Sequence, residues 1–389
     1  MSIDVYVTPK IYKQNLTHSW MTSIQENIRG SEKRSSLVTW PRIKLNSDLT
    51  LISTAERRFI RASLYQSIHK IWGFPFVHDK TLLTSQAANG QMVLTVAETS
   101  YRHFYDGRGC ILINPSNWEL YEYGTINTVD SATQITLADN LVSSWPIGTY
   151  VYPMYEYRIE EVQEVNVSIK QLNYITLAAT ESMEDLRSFS YSIPSSGAPT
   201  YNGLDLFLIA FQYPTTESYR HPFEHLVFFG KDFISSVYDK TRFVFDLDFI
   251  IISRADIWDL LKFFDSKRGR FQTFYMPSRN NDIVPTAAIA ADAVTLTVET
   301  LYLSSAEIVG RHLWIRLPDQ SYVCREVTAV PTSTTITISS SIGTAVSQAN
   351  LSKMLVCFLN EVRFNIDEIL LEYTADSIAK TKLRFRVVW

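Results

Sequence analysis

The chain has 389 residues, of which 46% are hydrophobic and only 20% charged, which excludes a disordered or low-complexity protein. Thirty-six Lys and Arg against 40 Asp and Glu leave a net charge of −4, so the chain carries no dense basic footprint for wrapping nucleic acid or binding an anionic membrane. The length predicts two or more domains, and an aromatic content of 13% suits strands and interfaces.

Residues 1–36 are mixed and polar, and are expected to form an N-terminal arm that orders against something else. No basic stretch followed by an apolar core occurs there, so no secretory leader is expected. The apolar runs Leu206–Phe211 and Phe249–Ile252 are too short to span a bilayer. From Ala55 to Lys70, Ile60, Leu64 and Ile68 recur at helical spacing, and Ile71–Phe76 follows as a strand.

Next come short segments that alternate apolar and polar residues: Val93–Val96, Asp106–Ile113, Tyr121–Val129, Thr133–Leu141 and Tyr150–Ile159. Their period of two and their Val, Ile, Thr and Tyr content predict half-buried strands. The same order recurs at Thr295–Val298, Val309–Leu317, Tyr322–Val330, Thr334–Ile342 and Met354–Phe364, roughly 200 positions later, which predicts a duplication. A helix over Ser253–Arg270 precedes the second set, with Ile257, Leu260, Leu261 and Phe264 on one face, Ser253 as its cap and Gly269 at its end. The strand Phe271–Met276 leads from it into the second set. Val165–Ala178 and Phe364–Val387 are return segments, and Ser182–Tyr201 clusters the Ser, Pro and Gly of a linker. The reading is mainly β: two tandem β-sandwich domains, each with one helix and an inserted small β-barrel module. The boundaries are an arm at 1–36, a first domain at 37–190 with its module at about 80–160, and a second at 191–389 with its module at about 280–362.

Catalytic patterns are scarce. Neither a nucleophile elbow nor a phosphate loop occurs. His221–His225 (HPFEH) fits the HxxEH spacing of some zinc peptidases, but Pro222 between the histidines and a strand-like run after them predict turn-into-strand instead of the helix zinc needs. His18, His69, His78, His103 and His312 stand isolated, without metal spacing. Asp246 and Asp248 share one strand face, and a solvated face is favoured over a glycosidase pair. Lys267, Arg268 and Arg270 are read as complementing a helix C-terminus, with a phosphate contact or an inter-subunit ion pair as alternatives. Cys110, Cys324 and Cys357 are widely spaced and odd in number, which suits unpaired thiols in a reducing cytoplasm. No catalytic, cofactor or metal site is assigned, and no enzyme activity is expected.

The run Phe263–Val298 (FFDSKRGRFQTFYMPSRNNDIVPTAAIAADAVTLTV) resembles a pattern in tail-tip proteins of long-tailed bacteriophages: a helix, a basic-Gly turn, an aromatic strand ending in Pro, and an inserted β module. The resemblance covers the C-terminal part of the chain and reaches the first half only through the internal repeat. The first half departs from it in having His69–Lys70–Ile71 where the second has the basic-Gly turn.

The resemblance implies a distal tail or baseplate ring protein, a virion component assembled in the host cytoplasm. Its tube-like domains would form a trimeric or hexameric ring at the end of the tail tube, between the tube protein and the tip hub. DNA would pass through the channel, and fibres or host surface glycans would be possible contacts of the inserted modules. The alternative is a receptor- or carbohydrate-binding module of the tail tip.

Overall fold

In the computed structural model the described residues are 4–5, 11–26, 31–51, 58, 61–62, 64–66, 70–159, 165–167, 173–181, 193–220, 224–228, 231–235 and 242–388. Among them the protein is mainly β and predominantly antiparallel. The first half contains β1 (Asp4–Val5), β2 (Ile11–Ser19), the hairpin β3 (Thr22–Glu26) and β4 (Glu32–Ser36), β5 (Arg42–Leu51), β6 (Ile71–Pro75) and β7 (Thr81–Leu82). It continues through β8 (Val93–Thr95), β9 (Gly109–Asn114), β10 (Asn117–Ser131), β11 (Gln134–Leu137), β12 (Tyr150–Ile159), β13 (Val165–Val167) and β14 (Asn173–Glu181).

The second half opens with the small hairpin β15 (Thr200–Tyr201) and β16 (Leu204–Asp205), then β17 (Gln212–Arg220), the hairpin β18 (Glu224–Phe228) and β19 (Lys231–Ser235), and β20 (Arg242–Ile251). Helix α1 (Arg254–Lys267) leads into β21 (Phe274–Pro277) and β22 (Thr295–Thr297), and the short α2 (Ser305–Ile308) precedes β23 (His312–Arg316). β24 (Tyr322–Thr332), β25 (Thr335–Ile338), β26 (Leu355–Phe364), β27 (Glu368–Ala375) and β28 (Ile378–Val387) complete it.

The duplication is written into the backbone pairing. β8 pairs β11, β11 pairs β10, β10 pairs β9, and β9 pairs β12. In the second half β22, β25, β24, β23 and β26 pair in the same sequence. Single hydrogen bonds repeat as well: Gly107 N donates to Ile126 O as Gly310 N donates to Val327 O, both at 2.8 Å. Gly107 and Gly310 both sit at positive φ, 77° and 85°, a left-handed turn that glycine adopts without cost. Each of the two sets of strands has its own buried cluster, around Leu94, Leu112, Ile126 and Ile135 in the first and Leu296, Leu313, Val327 and Ile336 in the second.

The repeat also covers the part of the chain expected as an arm. β2 pairs β5, β5 pairs β14, and β14 turns its far end to β12 and its near end to β13. β17 pairs β20, β20 pairs β28, and β28 divides itself between β26 and β27 in the same way. The hairpins β3–β4 and β18–β19 occupy matching places. Residues 11–26 and 31–36, expected within an arm, contain strands paired within this chain in the places that β17, β18 and β19 hold in the second half.

Ser253 caps α1 as its sequence predicts, accepting from Asp256 N. The helix ends at Lys267, short of the expected Arg270, with Arg268 in the left-handed region (φ 52°) and Gly269 next at φ 60°. Of the helix expected over 55–70, residues 58, 61–62 and 64–66 are described and are helical, and the rest lies outside the described residues. The linker expected at 182–201 is described only from 193, where it is irregular up to β15.

The main core is shared by both halves: Leu16, Leu45, Trp72 and Phe74 belong to the same buried cluster as Phe207, Phe263, Phe274, Phe364 and Phe385. Among the described residues no helix is long and apolar enough to cross a membrane.

Candidate assembly interface

Several of the charged and titratable side chains that spacing alone could not relate converge on the seam where the first repeat meets the second. Its backbone frame is the antiparallel pairing of β2 with β27, from Asn15 opposite Glu372 to Ser19 opposite Glu368. Strand alternation turns Gln14, Leu16, His18 and Trp20 inward, and all four are buried.

Two buried polar residues of β2 and its turn close on one carboxylate of α1. His18 Nδ1 lies 3.0 Å from Asp265 Oδ2, and Trp20 Nε1 donates to Asp265 Oδ1 at 2.9 Å. A carboxylate accepts and the indole only donates, so the His18 contact is read as Nδ1–H donating.

Next to it, Asp367 gathers the start of the β3–β4 hairpin. It accepts from Thr22 N at 3.1 Å, Thr22 Oγ1 at 2.9 Å, and Arg270 N and Nε at 3.0 and 2.9 Å. Gly269 lets the chain come this close, because a Cβ there would meet Asp367 Oδ1 at 2.7 Å.

Farther along the same hairpin, Glu32 receives the buried guanidinium of Arg363 in a two-pronged pair, Nε to Oε2 at 2.8 Å and Nη2 to Oε1 at 2.9 Å. Arg386 adds a third contact at 3.2 Å. Burial alone would raise the Glu32 carboxyl, but the hydrogen bond and charge of Arg363, with Arg386 and Arg34, hold it below its ordinary range.

At the other end of the seam, Asp79 is fully buried and takes Arg254 of α1 at 2.5 Å on one oxygen and His103 Nδ1 at 2.5 Å on the other. Burial works against that charge, and His103 and Arg254 together outweigh it, so the Asp79 carboxyl is also held low. His78 and Lys80 reach Asp376 beside β27 at 3.4 and 2.9 Å. The His78 hydrogen bond, helped by Lys80, lowers the Asp376 carboxyl to about 2.

Each motif singled out in the sequence now has a place. His18, His78 and His103 are seam residues, and His312 contacts Tyr201 Oη at 3.2 Å. His69 lies outside the described residues. Asp246 pairs with Arg384 at 2.6 and 3.0 Å across β20 and β28, on a strand face as expected. Lys267 is buried against Asp205 at 2.7 Å and Arg270 pairs with Asp367, so two members of the basic cluster form ion pairs within the chain. Of HPFEH, residues 221–223 lie outside the described residues, and His225 is on strand β18. Among the described residues no group of His, Cys, Asp and Glu is arranged to hold a metal.

The three cysteines are free and buried, and burial pushes the Cys110 thiol up to about 12.

Sequence reasoning missed the seam because its partners lie far apart in the chain, by 331 residues for Glu32 and Arg363 and by 345 for Thr22 and Asp367. The available signal was a second repeat in residues 11–51, hidden by the change of residue type between the two copies. Buried ion pairs thus link the first half of the chain to the second around this strand-to-strand joint. No family model matches the chain, and no curated protein matches it.

Proposed function

We propose that the chain is a structural component of a phage tail tip: a ring at the distal end of the tail tube, joining the tube protein to the hub and fibres and leaving a channel for DNA. In this reading each repeat is a tube-like β-sandwich carrying a small β-barrel module, the protein is not an enzyme, and it is located in the virion after assembly in the host cytoplasm. The observation that carries it is the seam. The back of the second repeat (β27, α1, Arg363) meets the front of the first (β2, the β3–β4 hairpin, Asp79). A front-to-back contact between like units generates rings or filaments, whereas a front-to-front contact stops at two. The mildly acidic balance suits a channel through which DNA slides without sticking.

The test has two parts. Light scattering and negative-stain images of the purified chain should give trimers or hexamers with a central hole. Antibodies against the chain should decorate the far end of intact tails, and tails left unlabelled would overturn the reading.

A receptor- or carbohydrate-binding role is the second reading, favoured by one observation. Tyr121 and Tyr123 on β10 are 46% and 37% exposed, on the same face of the first module as Tyr150 and Tyr152 of β12. Sugar rings stack on such faces, so glycan titration of the whole protein and of a Tyr121→Ala/Tyr123→Ala variant separates the two roles.

A further inference from the structure

We propose that β17 of one copy pairs in antiparallel register with β13 of a second copy, repeating between chains the β2–β27 joint made within one chain. The proposal deepens the ring reading but rests on the repeat alone, not on the viral setting.

The matching of strands is fixed by pairing. β2 stands beside β5 as β17 stands beside β20. β27 stands beside β28 as β13 stands beside β14. The chain therefore has two fronts and two backs. One front and one back are joined to each other at the seam. Among the described residues β17 pairs only with β20 and β13 only with β14, so the other front and back keep an open side.

Burial differs accordingly at equivalent positions. Following the registers through β5 and β20, Leu16 matches Glu217 and His18 matches Tyr219. His18 is 6% exposed and Tyr219 is 66% exposed. On the back, Arg363 of β26 pairs with Arg386 of β28 as Arg158 of β12 pairs with Thr180 of β14. Arg363 is 1% exposed under Glu32, whereas Arg158 is exposed.

An open strand edge is a template that proteins block or fill, and the filler here is specified by the joint the chain already makes. A contact of this kind is heterologous, so it propagates from copy to copy until it closes. Carried over from Asn15 opposite Glu372 and Leu16 opposite Leu371, the register places Thr216 opposite Asn166 and Glu217 opposite Val165 of the second copy.

The experiment is a cross-link at that register. Directly opposed residues on antiparallel strands bring their Cβ atoms to about 4.5–5.5 Å, close to disulfide reach. The chain is made with Glu217→Cys and Val165→Cys together, and with each alone; the native cysteines are buried and contribute little background. Under mild oxidation the double variant should run as covalent multimers on a non-reducing gel, and each single variant as a monomer.

A wild-type chain that stays monomeric at high concentration, with no cross-link, overturns the proposal. Rings that form without the 217–165 cross-link overturn the joint and leave the ring reading standing. Cross-linked rings from a protein that never labels phage tails overturn the viral role and leave the joint standing.

Discussion

At Trp314, Cys324 and Cys357 the outer face of the second module is roofed by Tyr201, Leu204, Leu206 and Leu208 from the β15–β16 segment. At the same registers of the first module stand Ile111, Tyr123 and Tyr152, and there the tyrosines face solvent in part. The same contrast holds at the edges, where Arg363 is sealed by Glu32 and its counterpart Arg158 is not. Two copies of one hydrogen-bond pattern thus differ mainly in what covers them. The repeated backbone is a scaffold, and the proposed joint between copies would fall where the cover is missing.

The contrast can be broken first at the two arginines. Arg363→Ala removes the two-pronged partner of the buried Glu32 and should cost about 3–5 kcal/mol, more than Arg158→Ala at the exposed equivalent position. Thermal unfolding of both variants side by side checks this, and equal losses would remove the distinction between sealed and open arginines.

Leu206→Ala opens the roof of the second module and should cost about 2–3 kcal/mol. Hydrogen exchange should then rise in β23 and β26 while β9 and β12 keep their protection. Gly269→Ala should cost about 1–3 kcal/mol, through its left-handed backbone and the clash with Asp367. Its circular-dichroism melt should move down with the helix content retained.

Acid sharpens the contrast next. Glu32, Asp79 and Asp376 have carboxyls held below their ordinary values in the folded protein. Their contribution is therefore complete above the ordinary carboxylate range and is lost as pH falls through the folded values, toward about 2 for Asp376. Stability followed from pH 6 to pH 2 should fall, and Asp79→Asn should flatten the fall more than Asp376→Asn, whose carboxylate is half exposed and screened. The smallest effect on stability belongs to Tyr123→Ala on the open face, within about 0.5 kcal/mol, so any lost glycan binding there could not be ascribed to unfolding.

Much of the fold was legible where alternation and turn residues speak directly. The module strands fall where Val93–Val96 and Thr295–Val298 place them, and Ser253 caps its helix. The earlier part of the repeat was not legible. Leu16 and His18 are buried in a joint, while Glu217 and Tyr219 are on a strand that among the described residues pairs on one side only, so the two strands carry different residue types on one backbone path. The seam was illegible for a related reason. Isolated histidines and acids reveal no spacing when their partners come from the other end of the chain, as His18 finds Asp265 and Asp79 finds Arg254.

Because β2 and β27 belong to one polypeptide, their joint forms at an effective concentration set by the tether, on the order of millimolar for a flexible link, and not by the amount of protein present. A joint so favoured can afford polar, individually weak contacts and still remain closed at high dilution. It can also reopen and re-form without its partner diffusing away, which lets two repeats find their register before any encounter between chains.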